Sequence, residues 1–449
     1  MPLSLPEPVN TALSRLEDAG FAAYAVGGCV RDKLMGREPQ DYDVTTAARP
    51  EQTAAVFASE RVIETGLQHG TVTVLLRGQP LEITTFRVDG PYSDARHPDA
   101  VRFTPSLRED LARRDFTMNA LAYSPRRGLI DPFGGADDIR NRLIRCVGDP
   151  DTRFREDALR ILRCVRFAAA LGFDIDPATA EKARENRALL SRVSAERVAQ
   201  ELKKLVCGPF VRRVVLTETD ILGVVLPELL PMRGFDQRNK HHIYDILEHC
   251  AAACEAIAPE PVLRLAALLH DVGKPDCFFT DEAGVGHFYG HAERGAELAD
   301  AILERLRFDR ESREEIVALV RRHDLRIEPE RRAVLRCLRR FGPDFFFRLL
   351  ALKRADALAH APGPKTDERL ARYDALEALA RATLSEAACF SLRSLAVNGH
   401  DLLAAGLSGP AVGQALDALL DAVIDGRVPN EKDALLAFLS AAQDGGSPQ

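Results

Sequence analysis

The sequence predicts an α+β fold, with a small mixed-sheet head followed by a long helical neck, body and tail, and three observations lead there. Alternating apolar residues typical of short strands are confined to about residues 20–125. Asp131-Pro132-Phe133-Gly134-Gly135 then interrupts the chain, after which strand signals nearly vanish. The remainder reads as amphipathic helices separated by Pro/Gly breaks near 208–209, 227–235 and 361–364. Its 449 residues, 46% of them hydrophobic, are enough for several separate cores.

In order along the chain, Val9, Leu13 and Leu16 recur at helical spacing before Gly20, and Ala23-Tyr24-Ala25-Val26 reads as a strand ending in Gly27-Gly28. DYDVTT at 41–46 reads as a second strand. GTVTVLLRGQPLEITTF at 70–86 is two alternating runs about an Arg-Gly-Gln-Pro turn, hence a hairpin. The expected divisions are a head at 1–140, a neck at 141–225, a helical body at 226–362 and a tail at 363–449.

Nine cysteines without a C-x-x-C pair give no support to a disulfide framework or a thiolate zinc site. No charge-free run approaches the roughly 18 apolar residues of a membrane span, and the start lacks a basic segment ahead of an apolar core, so a cytoplasmic protein without membrane attachment is expected. The formal charge of −7 argues against a nonspecific DNA coat. Residues 140–213, however, hold 17 basic and 10 acidic side chains, against 7 and 12 in 360–449, so a local surface for nucleic acid lies in the first segment. Lys203, Lys204, Arg212 and Arg213 belong to it.

Asp41 and Asp43 are two apart in the predicted strand and would project into one cleft. Two carboxylates on one face repel unless a cation lies between them, and hard oxygen ligands suit Mg²⁺ shared with substrate phosphates. Upstream, Gly27-Gly28-Cys29-Val30-Arg31 is a turn running into a helix, where backbone N–H groups and Arg31 could hold phosphate. Glu82 on the hairpin would add a third carboxylate and complete a two-metal site for in-line phosphoryl transfer. Taken singly, a D-x-D is most often a solvated turn and Gly-Gly a bend; their order is what distinguishes them here.

The unbroken string GGCVRDKLMGREPQDYD at 27–43, with RRDFTMNALAY at 113–123, resembles the nucleotidyltransferase superfamily that includes DNA polymerase beta, and closely resembles its bacterial tRNA CCA-adding branch. The resemblance implies that Gly28, Arg31, Asp41 and Asp43 bind triphosphate and metal, with Glu82 as the catalytic partner of the two aspartates. It implies that Arg114 and Asp115, with Asn119 nearby, select the ribonucleotide sugar. In FREDALRILRCVRF at 154–167, Asp157 and Arg160 are spaced i, i+3, which predicts one helical face carrying an acceptor beside a donor fork. By the resemblance this pair reads the Watson–Crick edge of incoming C or A, with Arg163 and Arg166 close by. Glu196, Arg197 and Glu201 are expected to brace the neck. The implied activity is template-free addition of CCA to tRNA from CTP and ATP. A poly(A) polymerase is the leading alternative, disfavoured by ETGLQHGTVTV at 64–74; the loop-like segment 86–110, which CC-adding enzymes lack, favours a complete CCA adder and leaves an A-adding enzyme as a second alternative.

Seven of 11 histidines fall between 241 and 323: His241, His242, His249, His270, His287, His291 and His323. LAALLHDVGKP at 265–275 resembles the metal-binding signature of HD-domain phosphohydrolases, which makes 226–362 an HD domain. The ligand order of that family suggests His249, His270, Asp271 and Asp356, with His291 and His323 auxiliary. Nitrogen and oxygen donors without thiolate suit Mg²⁺, Mn²⁺, Fe or Ni²⁺, a second divalent metal beside that of the head. An HD fold kept only as scaffold stays open, as does a third alternative, a tRNA-binding HD-type hydrolase or sensor. NGHDLLAAGLSGPAVGQAL at 398–416 and GRVPNEKDALL at 426–436 resemble the terminal tRNA-contacting domain of long CCA-adding enzymes.

Overall fold

The structure, a computed structural model, describes residues 3–66, 70–90, 101–238, 243–386 and 389–444. Strand β1 (Ala23–Val26) is buried throughout and pairs antiparallel with β2 (Asp43–Thr46). The chain continues through β3 (Arg61–Gly66), β4 (Thr71–Leu76), β5 (Gln79–Thr85), β6 (Arg87–Asp89), β7 (Val101–Phe103), β8 (Ala122–Ser124) and β9 (Gly128–Ile130). Seven of these form one mixed sheet in the order β3-β4-β5-β2-β1-β8-β9, while β6 and β7 pair separately. The β4–β5 hairpin follows from its alternation, with Val72, Val74, Leu76, Leu81 and Ile83 buried. Its turn is only two residues, Arg77 and Gly78, at φ 52° and 80°. That conformation matches the twist of the strands, so Gln79 and Pro80, expected in the turn, already belong to β5.

β2 starts at Asp43 rather than 41, so Asp41 and Tyr42 lie in its approach and strand alternation does not place Asp41. β2 runs parallel to β5 with Asp43 directly opposite Glu82 and Val44 opposite Ile83. Val44 and Ile83 enter the core, so Asp43 and Glu82 share the other face. The segment 91–100 of the predicted loop, and His69 in the 64–74 string, lie outside the described residues, as do His241 and His242.

The chain divides into two compact units, 1–231 with 302–308, and 232–301 with 309–449. In the first, the helix Leu159–Leu171 is buried along most of its length and packs on Ala195–Val206. It closes at Gly172, φ 72°, where a Cβ would stand 2.5 Å from the Phe210 ring. In the second unit, Ile246–Ala256 packs on Pro261–Leu269 and Pro343–Leu358, and Pro261–Leu269 packs on Arg310–Arg322. Leu402, Leu419, Leu420 and Leu435 centre a separate apolar cluster of the tail. Strand structure does not end at 135 as expected: Leu143–Ile144 pairs parallel with Asp174–Ile175, and Phe279–Thr280 pairs antiparallel with Gly286–His287. These two-residue pairs are too short to show periodicity. No helix of the described residues is long and apolar enough to cross a membrane.

Candidate active site and metal-ligating cluster

Asp41, Asp43, Thr73 and Glu82 line one cleft of about 590 Å³ in the head. Burial, together with the neighbouring charges of Asp41 and Glu82, raises the Asp43 pKa from its ordinary value, against the opposing pull of Arg114. An all-oxygen set of this kind suits a hard cation such as Mg²⁺.

Gly27 precedes the helix Gly28–Leu34 at φ 81°, ψ −129°, a region open essentially to glycine. A Cβ there would stand 2.6 Å from Arg114 Nη1, so the bare backbone is what lets the guanidinium lie against the turn. Arg114 Nε is buried without a hydrogen-bond partner among the described residues, a donor that a phosphate or sugar oxygen would satisfy.

Arg31 donates to Asn119 Oδ1 at 2.7 Å and to Asp32 at 2.9 Å. Asn119 Nδ2 donates to Asp115 Oδ1 at 3.0 Å, and Arg163 forks onto Asp115 Oδ2 at 2.9 and 2.7 Å. Arg163 also approaches Glu201 at 3.6 Å, and Arg166 donates to Glu201 at 2.8 Å. Arg31, Arg163 and Arg166 surround the buried Phe167 ring, Arg166 at 3.6 Å from its centroid. Burial opposes the Asp115 charge, but Arg163, Asn119 and the Phe116 N–H outweigh it and hold the pKa far below the usual range. Both oxygens of Asp115 are engaged inside the protein, so its influence on a sugar passes through Arg163 and Asn119.

The expected shared helical face of Asp157 and Arg160 does not form. Asp157 has extended backbone, φ −141° and ψ 102°, in the break between the helices Pro150–Glu156 and Leu159–Leu171. Its Oδ1 accepts from Leu159 N at 3.1 Å and its Oδ2 from Arg197 at 2.8 Å, so it caps one helix and ties in another. Arg160 is buried and donates to Glu156 at 2.6 Å and to the carbonyls of Arg153 and Arg113. Glu156, four residues before Arg160, was missed, although that spacing is the ordinary signature of a helical ion pair. Asp110 was missed too: fully buried, it accepts from Thr45, the Arg87 N–H and Arg113, linking β2 to the 113–115 motif.

In the second unit, His249, His270, Asp271 and Asp356, the set implied by the HD-domain resemblance, lie together. His249 Nε2 lies 3.0 Å from Asp356 Oδ1 and 3.2 Å from His270 Nε2, and His270 Nε2 lies 3.3 Å from Asp271 Oδ2. His291 and His323 meet the other oxygen, Asp271 Oδ1, at 3.4 and 3.5 Å. Burial disfavours the Asp271 charge, but His270 and Lys274 hold its pKa well below the usual range. Lys274 Nζ lies 2.6 Å from Asp271 Oδ2, and the i, i+3 spacing in HDVGK could have shown it. His287 stands apart, bonded to Asp281.

A glycine turn feeding a helix, with carboxylates on two adjacent parallel strands, defines a nucleotidyltransferase head. Residues 23–145 match the family model described as "Poly A polymerase head domain". Residues 172–232 match "Probable RNA and SrmB-binding site of polymerase A", and 289–439 match a model of tRNA nucleotidyltransferase domain 2. His249, His270 and Asp271 lie between the matched spans. The CCA-adding enzyme of Geobacillus stearothermophilus is 35% identical over 438 residues, 95% of each chain, and that of Geobacillus thermodenitrificans is 36% identical over the same share. The crystal structure of the Bacillus stearothermophilus CCA-adding enzyme in complex with CTP superposes with a TM-score of 0.72 at 32% identity, covering 98% of each chain. That of the Thermotoga maritima CCA-adding enzyme complexed with tRNA shares the fold, with a TM-score of 0.59 at 20% identity and coverage of 97% and 94%. The chain belongs to the CCA-adding enzyme family.

Proposed function

We infer that this protein adds CCA to the 3′ end of tRNA, taking CTP and ATP without a nucleic-acid template. The observation that carries the inference is the parallel β2–β5 register, which sets Asp43 beside Glu82 in one cleft with Asp41, in a chain of this family. Asp41, Asp43 and Glu82 hold Mg²⁺, which when bound neutralises triphosphate charge and favours ionisation of the 3′-hydroxyl. Gly28 and Arg31 cradle the triphosphate at the glycine turn, and Arg114 meets phosphate or sugar with its unsatisfied Nε. The tRNA 3′ oxygen bonds to the α-phosphorus as the α–β bridge breaks and pyrophosphate departs. Asp157 and Arg160 receive the base, the carboxylate accepting from the exocyclic amine of C or A and the guanidinium donating to its ring nitrogen. Arg163 and Arg166 fix the wall behind them through Asp115, Glu201 and Phe167. We assign the head to 1–140, the neck to 141–225, an HD domain to 226–362 and the tail to 363–449, and place the reaction in the cytoplasm with its substrates. Within the HD domain, His249, His270, Asp271 and Asp356 bind a divalent transition metal; the convergence of their donor atoms supports this reading.

The test is incorporation by purified protein on tRNA ending at the discriminator base, or in CC, with each NTP alone and combined. Two C and one A added in order is the expected result. A ladder of many A residues would establish the poly(A) polymerase instead, and A added only to tRNA ending in CC would establish the A-adding enzyme.

A further inference from the structure

Asp110 is a fully buried carboxylate of the head that lies outside both the carboxylate cleft and the base-reading residues. It belongs to the helix Leu107–Ala112, whose start is capped by Ser106 accepting from Glu109 N. A buried charge is costly unless it is compensated, and three donors meet its two oxygens. Thr45 Oγ1 donates to Oδ2 at 3.2 Å, while the Arg87 N–H and Arg113 Nε donate to Oδ1 at 3.2 and 3.0 Å. Well-packed apolar side chains commonly replace such buried charged groups at no loss of stability, so stability alone gives no reason for a charge at this position.

The donors come from parts of the head that serve the reaction. Thr45 is two residues along β2 from Asp43 and on the same face of the sheet, and its hydroxyl also lies 3.2 Å from Thr84 O of β5. Asp110 is thereby referenced to the two strands that bear Asp43 and Glu82. Arg113 is held at both ends, its side chain by Asp110 and its carbonyl by Arg160 Nη2 at 3.0 Å. The next residue is Arg114, which lies against the Gly27 turn and whose Nε has no hydrogen-bond partner among the described residues. Burial lowers the Arg114 pKa, and of the carboxylates that oppose this Asp110 contributes most, ahead of Asp43 and Asp115. Two consecutive arginines thus use one carboxylate differently: Arg113 donates to it, whereas Arg114 receives its field and keeps Nε for a ligand.

We propose that Asp110 is a positioning residue for nucleotidyl transfer, fixing Arg114 in register with the carboxylates of β2 and β5 so that it meets the ribose and triphosphate of the incoming nucleotide. Asp110 touches neither substrate nor metal; it acts through Arg113 and Arg114. The proposal rests on the reading above that Arg114 meets phosphate or sugar, and adds the residue that sets where it does so. Misplacing a positioning group by about 1 Å can cost on the order of 100-fold in rate, which is why a buried carboxylate tied to the sheet at one end and to the arginine pair at the other bears on catalysis.

The experiment measures single-nucleotide incorporation by the full chain on tRNA ending at the discriminator base, below the thermal transition of every variant. Asp110→Asn keeps the shape and the oxygen facing Arg87 and Arg113, and its amide can donate to the Thr45 hydroxyl, so the charge alone is removed. Thr45→Val, which removes the tie to the sheet at nearly constant volume, is the second variant. Asp110→Asn should lower kcat about 30-fold with the Kd of CTP within about threefold of wild type, and should lower the preference for CTP over dCTP about tenfold. Thr45→Val should show the same pattern at smaller size. In an Arg114→Ala background, adding Asp110→Asn should change kcat/KM by less than about twofold, because the two residues act along one path. Losses that multiply in the double variant would overturn the proposal, as would an Asp110→Asn protein that melts lower yet is as fast and as selective as wild type. Wild-type protein that adds no nucleotide to tRNA would instead overturn the reading on which the proposal rests.

Discussion

Asp157→Asn separates base reading from structure at one side chain. The aspartate has two tasks visible in the fold, the cap on Leu159 N and the ion pair with Arg197, whose side chains are 17% and 23% exposed. Asparagine keeps the capping oxygen, so only the pair is lost, about 1 kcal/mol at this exposure. Alanine would also remove the cap, a further loss of about 1 kcal/mol. Neither approaches the roughly 5–15 kcal/mol that holds a domain folded. If Asp157 also accepts from the amine of an incoming base, the change from acceptor to donor weakens C and A relative to U and G. A good bidentate base contact is worth about 1–3 kcal/mol, so the preference for CTP over UTP should fall roughly 5- to 150-fold. The assay is single-nucleotide incorporation on tRNA ending at the discriminator base, with kcat/KM measured for CTP and UTP in wild type and variant. A variant that melts within a few degrees of wild type and keeps the full CTP preference would show that Asp157 only caps and ties helices.

Three further outcomes are expected. Asp43→Asn should lower incorporation about a thousandfold, roughly 4 kcal/mol of transition-state stabilisation, while tRNA affinity in filter binding stays within a few fold. Lys204→Glu, on an exposed position of the basic neck, should weaken tRNA binding and flatten its dependence on salt more than Arg393→Glu in the acidic tail, in titrations at several salt concentrations. Because the folded pKa of Asp115 lies below its unfolded value, its ionised form stabilises the fold fully above about pH 4 and loses that contribution as pH falls toward the folded value. Urea unfolding should therefore show Asp115→Asn less stable than wild type by a constant amount at pH 5–7, with the gap narrowing below pH 4.

The head was legible because its signals are local. Alternation in β4 and β5 gave the hairpin, and Gly27-Gly28 gave the turn running into the helix that carries Arg31. What escaped was set by partners distant in sequence. FREDALRIL contains no proline or glycine and reads as one helix, yet the chain breaks at Asp157, where Arg197, 40 residues away, holds the carboxylate and Arg160 reaches the Arg113 carbonyl. Asp41 was placed on a strand because a two-residue spacing is all a sequence offers, while the strand begins only where Asp43 meets Glu82. The residues of the histidine cluster were nameable from the resemblance, but spacing carries no record of which oxygen of Asp271 each histidine faces.

The chain of contacts running from Asp32 and Arg31 through Asn119, Asp115 and Arg163 to Glu201 and Arg166 constrains how this part of the protein can vary. Its members alternate between donor and acceptor, so the loss of any charged member strands the charge that its neighbour had balanced, and the loss of Asn119 leaves Arg31 and Asp115 each short of a hydrogen bond. Breaking a buried pair in this way commonly costs about 3–5 kcal/mol, whereas exchanging a whole group for well-packed apolar residues is often neutral. Drift by single substitutions is therefore blocked in both directions, and the route to an altered neck runs through paired or tripled replacements. A library randomising Asp115, Arg163 and Glu201 together should yield folded, active combinations that no sequence of viable single steps would reach.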